Sequence, residues 1–221
     1  LEIIAIPERA EPADLLLAGP GLLRDPPANP FNLPRGSVLG TSSLRRAAQA
    51  LARNPEIDIR ALRGNVPTRV RKLQDGEFDA ILLAAAGVRR LGLDLGELGA
   101  RELTPEEMLP APGQGALAIE TRAGDPATAC LKRLHDEKVA ECVAAERGLL
   151  EMLGGGCHLP LGALAVEDPG GLRLQAVLGE IDDQATRAEI ARVGSVAQDS
   201  RTAARVCFEA LKLAMPRVVG G

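Results

Sequence analysis

The chain has 221 residues, 46% of them hydrophobic, with a formal net charge of −4; it is long enough to bury a substantial core in one large or two small domains. The negative balance argues against nucleic-acid binding by bulk attraction, since neutralising phosphates needs a cationic surface, so any polyanion site has to be local. No run of 18 apolar residues occurs and no basic region precedes the apolar start, and the expectation is a cytoplasmic protein, neither secreted nor membrane-bound.

In chain order, "GSVLG" at 36–40 predicts a short buried strand, "SSLRRAAQALARN" at 42–54 a helix, and "IDIRALRG" at 57–64 a strand with alternating faces. "NVPTRVRKLQDG" at 65–76 then predicts a second helix and "FDAILLAAAG" at 78–87 a third strand. Strands separated by helices imply a parallel sheet with helices on its faces, so residues 20–103 are expected to form an α/β domain. Beyond it, "KVAECVAAERGLLEML" at 138–153 has the apolar spacing of an amphipathic helix that stops at three glycines, 154–156. A hairpin turning at "DPGG", 168–171, a third strand near 187–193 and a helix over 196–213 complete a small α+β domain with a three-stranded antiparallel sheet.

In α/β sheets ligands bind beyond the carboxyl ends of the strands, where helix N-termini present free N–H groups. Arg45 and Arg46 follow the strand at 36–40, Arg63 follows the strand at 57–62, Arg69 sits early in the next helix, and Arg89 and Arg90 follow the strand at 78–84. Thr41, Ser42 and Ser43 add hydroxyls and possible helix caps at the same edge. Any one arginine could be part of a solvated, salt-bridged surface. As a set they predict a site for several carboxylates, because each guanidinium grips a carboxylate through two parallel hydrogen bonds.

Four cysteines at 130, 142, 157 and 207 form no CxxC pair, which suits reduced thiols in a cytosolic protein. Cys130, Cys142 and Cys207 stand among apolar residues in helical stretches and are expected in the core. Cys157 instead follows three glycines in "GGGCHLP", a tight exposed loop whose open backbone can accept a bulky group. A Cys157–His158 catalytic dyad is disfavoured, since adjacent loop residues point apart and no third orienting group is evident. Two histidines without ligand spacing disfavour zinc.

Four stretches together, "LPRGSVLGTSSLRRAAQ", "IRALRGNVPTRVRKLQDGEFDAILLAAAGVRRLGL", "LPAPGQGALAIE" and "AAERGLLEMLGGGCHLPLGALA", resemble the porphobilinogen deaminase (hydroxymethylbilane synthase) family over essentially the whole chain. The resemblance implies three domains and the head-to-tail condensation of four porphobilinogens into hydroxymethylbilane, with loss of ammonia, in tetrapyrrole biosynthesis. It implies a dipyrromethane cofactor held by a thioether to Cys157. Cofactor contacts would fall on Ser43, Arg45, Arg46, Arg63 and Arg69, and substrate contacts on Arg63, Arg69 and Arg90. It further implies a monomer that handles porphobilinogen and the growing oligopyrrole, with no nucleic acid, membrane or metal involved.

The family's catalytic aspartate has no counterpart here and would lie upstream of Leu1. "LEIIAIPERAEPADLLL" is similar to the segment that follows it, although the arginine usual near Ala13 is missing. Residues 1–16 and 104–133 would then be a remnant of domain 1, 20–103 domain 2, and 137–221 domain 3, and the chain an incomplete portion. Two other classes remain open on the residues alone. The α/β region also resembles the lobes of type II periplasmic binding proteins, which fits a non-catalytic two-lobed binder of a carboxylate-rich small molecule. A nucleic-acid module using the arginines on phosphates is disfavoured by the charge and by an aromatic content of only 1%.

Overall fold

The computed structural model describes residues 1–23, 31–156, 158–182 and 184–219. After a first strand, Glu2–Ala5 (β1), the chain enters a five-stranded sheet through Asp14–Ala18 (β2). The other strands are Val38–Gly40 (β3), Asp58–Arg60 (β4), Ala80–Ala84 (β5) and Gly99–Glu102 (β6), in the order β4-β3-β5-β2-β6. Leu44–Leu51 (α1) and Val66–Gln74 (α2) connect the three strands that run parallel, and Ala85–Leu91 (α3) leads away from β5. Both connecting helices start on side-chain caps. The Ser43 hydroxyl accepts from the Arg46 amide, and the Asn65 carbonyl oxygen accepts from the Thr68 amide.

The sheet is mixed rather than parallel, because β2 runs antiparallel to both β5 and β6. Short apolar strands bury both faces. Leu16, Leu39, Ala80 and Leu82 pack with Ala50, Leu51, Phe31 and Met108, while Leu17, Ile81 and Leu83 pack with Leu62, Val70 and Leu73. The boundary expected at residue 16 falls within β2. The reversal has a consequence for the site: Asp14, first in β2, lies opposite Ala84, last in β5. An acidic residue thereby reaches the carboxyl edge of the parallel strands.

Residues 104–118 cross to Ile119–Thr121 (β7), which pairs with β1 in a separate two-stranded antiparallel sheet. A 3-10 helix, Pro126–Leu134, precedes the long helix Glu137–Met152 (α4). Then come Leu161–Asp168 (β8), Gly171–Ile181 (β9) and Ala188–Ala197 (β10), an antiparallel sheet ordered β10-β9-β8 as the hairpin pattern predicts. Ser200–Ala214 (α5) and the short Pro216–Val219 (α6) follow. The last long helix therefore begins four residues later than expected, with 196–197 still in β10.

Alternation along β9 sorts the core of this unit. Leu172, Leu174, Ala176 and Leu178 pack with Ala145 and Leu149 of α4 and Ala203, Ala204, Cys207 and Leu211 of α5. Val177 faces the other way, against Leu109 and Leu164. α1 docks on that second face where Gly179 has no side chain; a Cβ there would stand 2.6 Å from the Ala48 Cβ. Cys142 and Cys207 are buried as expected, but Cys130 is exposed. The 3-10 helix that carries it buries none of its residues, so this thiol has no core to join.

Candidate functional site

The topology gathers the cleft side of the predicted edge from two strand ends. Thr41, Ser42 and Ser43 follow β3, Arg63 follows β4, and the Ser42 hydroxyl donates to the Leu62 carbonyl at 3.0 Å, tying the two loops together. Thr41 Oγ1 accepts from the Ser43 amide at 3.1 Å, which shapes the turn into α1. These residues line one wall of a cleft of about 750 Å³, and the opposite wall includes His158, Glu180 and Asp182 of the C-terminal unit. Arg63 is exposed there and has no hydrogen-bond or ion-pair partner among the described residues. Cys157 lies outside the described residues; the residue after it in the chain, His158, lines the cleft.

Arg45 and Arg46 hold a carboxylate of the protein itself. Arg45 Nη1 donates to Asp14 Oδ2 at 2.6 Å and to the Leu109 carbonyl at 2.7 Å. Its Nη2 donates to Asp14 Oδ1 and to Gln114 Oε1, both at 3.3 Å. Arg46 donates to Asp14 Oδ1 from Nε at 3.0 Å and from Nη2 at 2.8 Å, and to the Leu82 carbonyl from Nη1 at 3.1 Å. Gln114 Nε2 completes the shell of Asp14 at 3.1 Å. Asp14 and Arg45 are buried, and Arg46 is nearly so. Burial alone would push the Asp14 carboxyl up, but the two guanidiniums beside it prevail and hold it below the usual carboxylate range. Burial also draws the Arg46 guanidinium down from its ordinary value, with Asp14 opposing that shift.

The remaining predicted arginines stand apart from this pair. Arg69 Nε donates to the Gly64 carbonyl at 2.7 Å, so it braces the loop that carries Arg63. Arg90 sits in the last turn of α3, about 8 Å beyond the strand end at the rise of an α-helix. It does not line the cleft, and its neighbour Arg89 forms an ion pair with Glu102. Thus Ser43 and Arg63 line the cleft, whereas Arg45, Arg46, Arg69 and Arg90 are not among its lining residues.

A second buried ion pair, absent from the sequence reading, ties the C-terminal unit to the rest. Arg9 Nη1 and Nη2 donate to Glu146 Oε1 and Oε2 at 2.7 and 3.0 Å. Glu146 also accepts from the Gly113 and Ala165 amides at 2.6 and 2.9 Å. Gln114 joins the two clusters, because its carbonyl accepts from Arg9 Nε at 2.9 Å while its side chain contacts Asp14 and Arg45. Gln49 of α1 adds a third tie, exchanging hydrogen bonds with the backbone of Leu109 at 2.9 and 3.0 Å. The crossing segment is thereby pinned to α1, to the start of β2 and to α4. Among the described residues no three His, Cys, Asp or Glu side chains gather as a metal site would require, and no helix is long and apolar enough to cross a membrane.

Chemically the cleft presents a free guanidinium and hydroxyls, an arrangement able to accept a ligand bearing carboxylates. Two family models match the chain: "Porphobilinogen deaminase, dipyromethane cofactor binding domain" over residues 1–149 and "Porphobilinogen deaminase, C-terminal domain" over 140–212. Curated relatives named porphobilinogen deaminase agree. One from Oceanobacillus iheyensis is 45% identical over 183 residues, 82% of this chain and 57% of the relative. One from Thiobacillus denitrificans is 48% identical over 185 residues, 82% and 57% respectively. One from Halalkalibacterium halodurans is 40% identical over 203 residues, 91% and 63%. The chain belongs to the porphobilinogen deaminase family. It spans less than two thirds of the length of these relatives.

Proposed function

We propose that the protein of which these residues form the cleft is a hydroxymethylbilane synthase. It would condense four porphobilinogen molecules into the linear tetrapyrrole and release ammonia. The observation that carries this reading is Arg63, exposed and unpaired among the described residues on the wall facing His158. A pyrrole bearing two carboxylates is a ligand that can use such a guanidinium together with the Ser43 hydroxyl, whose oxygen accepts from the Arg46 amide and whose proton is left to donate. The reading is supported by family membership and by the position of the site at the carboxyl edge of the parallel strands.

The residues fit a covalent dipyrromethane on Cys157. A cleft of about 750 Å³ has room for two pyrrole rings, and its donors suit carboxylate substituents. When bound, that group would supply the primer from which the chain is extended. The chain's own contribution is binding and orientation: Arg63 takes a carboxylate, Ser43 offers its hydroxyl, Arg46 keeps two N–H bonds for a further carboxylate, and Arg69 braces the loop that carries Arg63. Arg90 is assigned to longer chains that reach past α3. The proton needed by the departing amine is assigned to no residue of this chain, because the family's catalytic aspartate has no counterpart in it.

The finer likeness of the five-stranded unit to type II periplasmic-binding-protein lobes is part of this reading, supported by its strand order and its one reversed strand. So is action as a cytoplasmic monomer on a small molecule. Intact-mass measurement and the colour reaction of pyrroles test the assignment on the complete protein. The expected result is one covalent adduct, mapped to Cys157 and lost in Cys157→Ser, since a hydroxyl is too poorly ionised to replace the thiolate. An adduct on Cys130, Cys142 or Cys207 would overturn it.

A further inference from the structure

We propose that Asp14 is a positioning residue for the cleft: its carboxylate aims Arg46 at a ligand carboxylate and commits Arg45 to holding the crossing segment. The inference rests on the functional reading above and adds to it a division of labour within the adjacent arginines.

The argument is a count of donors. A guanidinium has five N–H bonds. Arg45 uses both bonds of Nη1 and both of Nη2 inside the protein, and only its buried Nε lacks a partner among the described residues. Two of those four go to Leu109 and Gln114, on the segment that runs toward the C-terminal unit. Arg46 uses three, leaving one N–H on Nη1 and one on Nη2. It is also the more accessible of the two, with 12% of its side chain exposed against 5% for Arg45. A free N–H on each of Nη1 and Nη2 leaves Arg46, unlike Arg45, able to donate to a further carboxylate.

Asp14 sets this geometry because it takes Arg46 by Nε and Nη2, fixing the plane of the guanidinium. It also cancels one of two adjacent positive charges, so that a ligand carboxylate meets one net positive charge rather than two. The reversed direction of β2 is what delivers a carboxylate to this edge. Asp14 touches no ligand in this account and acts through Arg46.

The test uses the complete protein with porphobilinogen and four forms: wild type, Asp14→Asn, Arg46→Gln and the double variant. Asp14→Asn is expected to raise KM at least about tenfold while kcat changes less than about threefold, the pattern of lost uniform binding. Arg46→Gln should raise KM by a similar factor, and the double variant should be no worse than the more impaired single one. KM factors that multiply in the double variant would overturn the proposal. A second arm does not depend on which ligand binds. Phenylglyoxal, an arginine-selective dicarbonyl, should modify Arg46 at least about tenfold more slowly than Arg63 in wild type, and the difference should collapse in Asp14→Asn. Unchanged protection of Arg46 in that variant overturns the proposal. A wild-type protein that consumes no porphobilinogen counts against the functional reading, and the modification arm then decides the role of Asp14. If Asp14→Asn does not fold, Gln114→Leu, which removes one support of the Asp14 carboxylate, carries the same comparisons.

Discussion

Glu146 offers a quantitative test of how the C-terminal unit is attached. It is buried in α4 and accepts four hydrogen bonds: two from Arg9 and one each from the Gly113 and Ala165 amides. Glu146→Gln keeps the shape and one acceptor oxygen but presents an amide to Arg9, whose side chain is only 10% exposed. Removing one partner of a buried ion pair costs about 3–5 kcal/mol, and the retained acceptor places this change near the lower end, about 3 kcal/mol. For a chain of this length each kcal/mol moves the melting temperature by about 2–4 °C, so a fall of about 6–12 °C is expected. Far-ultraviolet circular dichroism reads the melt, which suits a protein without tryptophan or tyrosine. Arg9→Gln should cost a comparable amount, and the double variant should cost at least about 1 kcal/mol less than the two single changes added together. A drop below about 2 °C for Glu146→Gln, or simple additivity in the cycle, would refute the view that this pair holds the crossing to α4.

Asp14 gives a pH dependence of definite sign. Its folded-state carboxyl titrates below the ordinary value of 3.8, so its stabilising contribution is present above that value and is lost as pH falls through the lower, folded one. The stability gap between wild type and Asp14→Asn, followed by urea unfolding, should stay constant from pH 7 to about 4.5 and shrink only in stronger acid. Gly179→Ala should destabilise by about 1–3 kcal/mol in chemical denaturation, because its Cβ would overlap Ala48 where α1 meets β9. Arg63→Leu should leave the melting curve within about 0.5 kcal/mol of wild type, as an exposed residue without partners would, and yet weaken porphobilinogen binding in calorimetry. A thiol reagent followed by peptide mapping should label Cys130 well before Cys142 and Cys207, whose thiols burial pushes up.

The helices, the hairpin and the three parallel strands were legible because each carries a local signal: an apolar period, a cap, a glycine stop. The place of β2 was not. "DLLLA" reads as a strand in either direction, and only its pairing with both β5 and β6 puts Asp14 at the ligand edge. The role of Arg45 went unread for the same reason, since Asp14 lies 31 residues away and an arginine cluster looks identical whether its carboxylate is a ligand or a neighbour. The separation of 137 residues between Arg9 and Glu146 hid that pair completely. Gln49 did leave a trace: an amide within "AAQAL" sits on an apolar helix face, where it needs a partner, and the structure supplies the Leu109 backbone. Cys130 misled because apolar neighbours in sequence are no guarantee of a core when the turn is 3-10 and lies on the surface.

The pairing of β2 with β6 has a mechanical meaning. The two strands are antiparallel neighbours, and at their shared end the Leu103 amide donates to the Asp14 carbonyl at 2.9 Å, so the excursion from residue 14 to residue 103 leaves and returns at one point. A tension applied along the chain on either side of that point would load the β2–β6 hydrogen bonds one after another, as a zipper is opened, rather than all at once in shear. The Asp14–Arg45–Gln114 contacts sit at the mouth of that zipper and take the first load. In a single-molecule pull the five-stranded unit should therefore yield by peeling from this end, with the ionic contacts as the latch that sets the opening force.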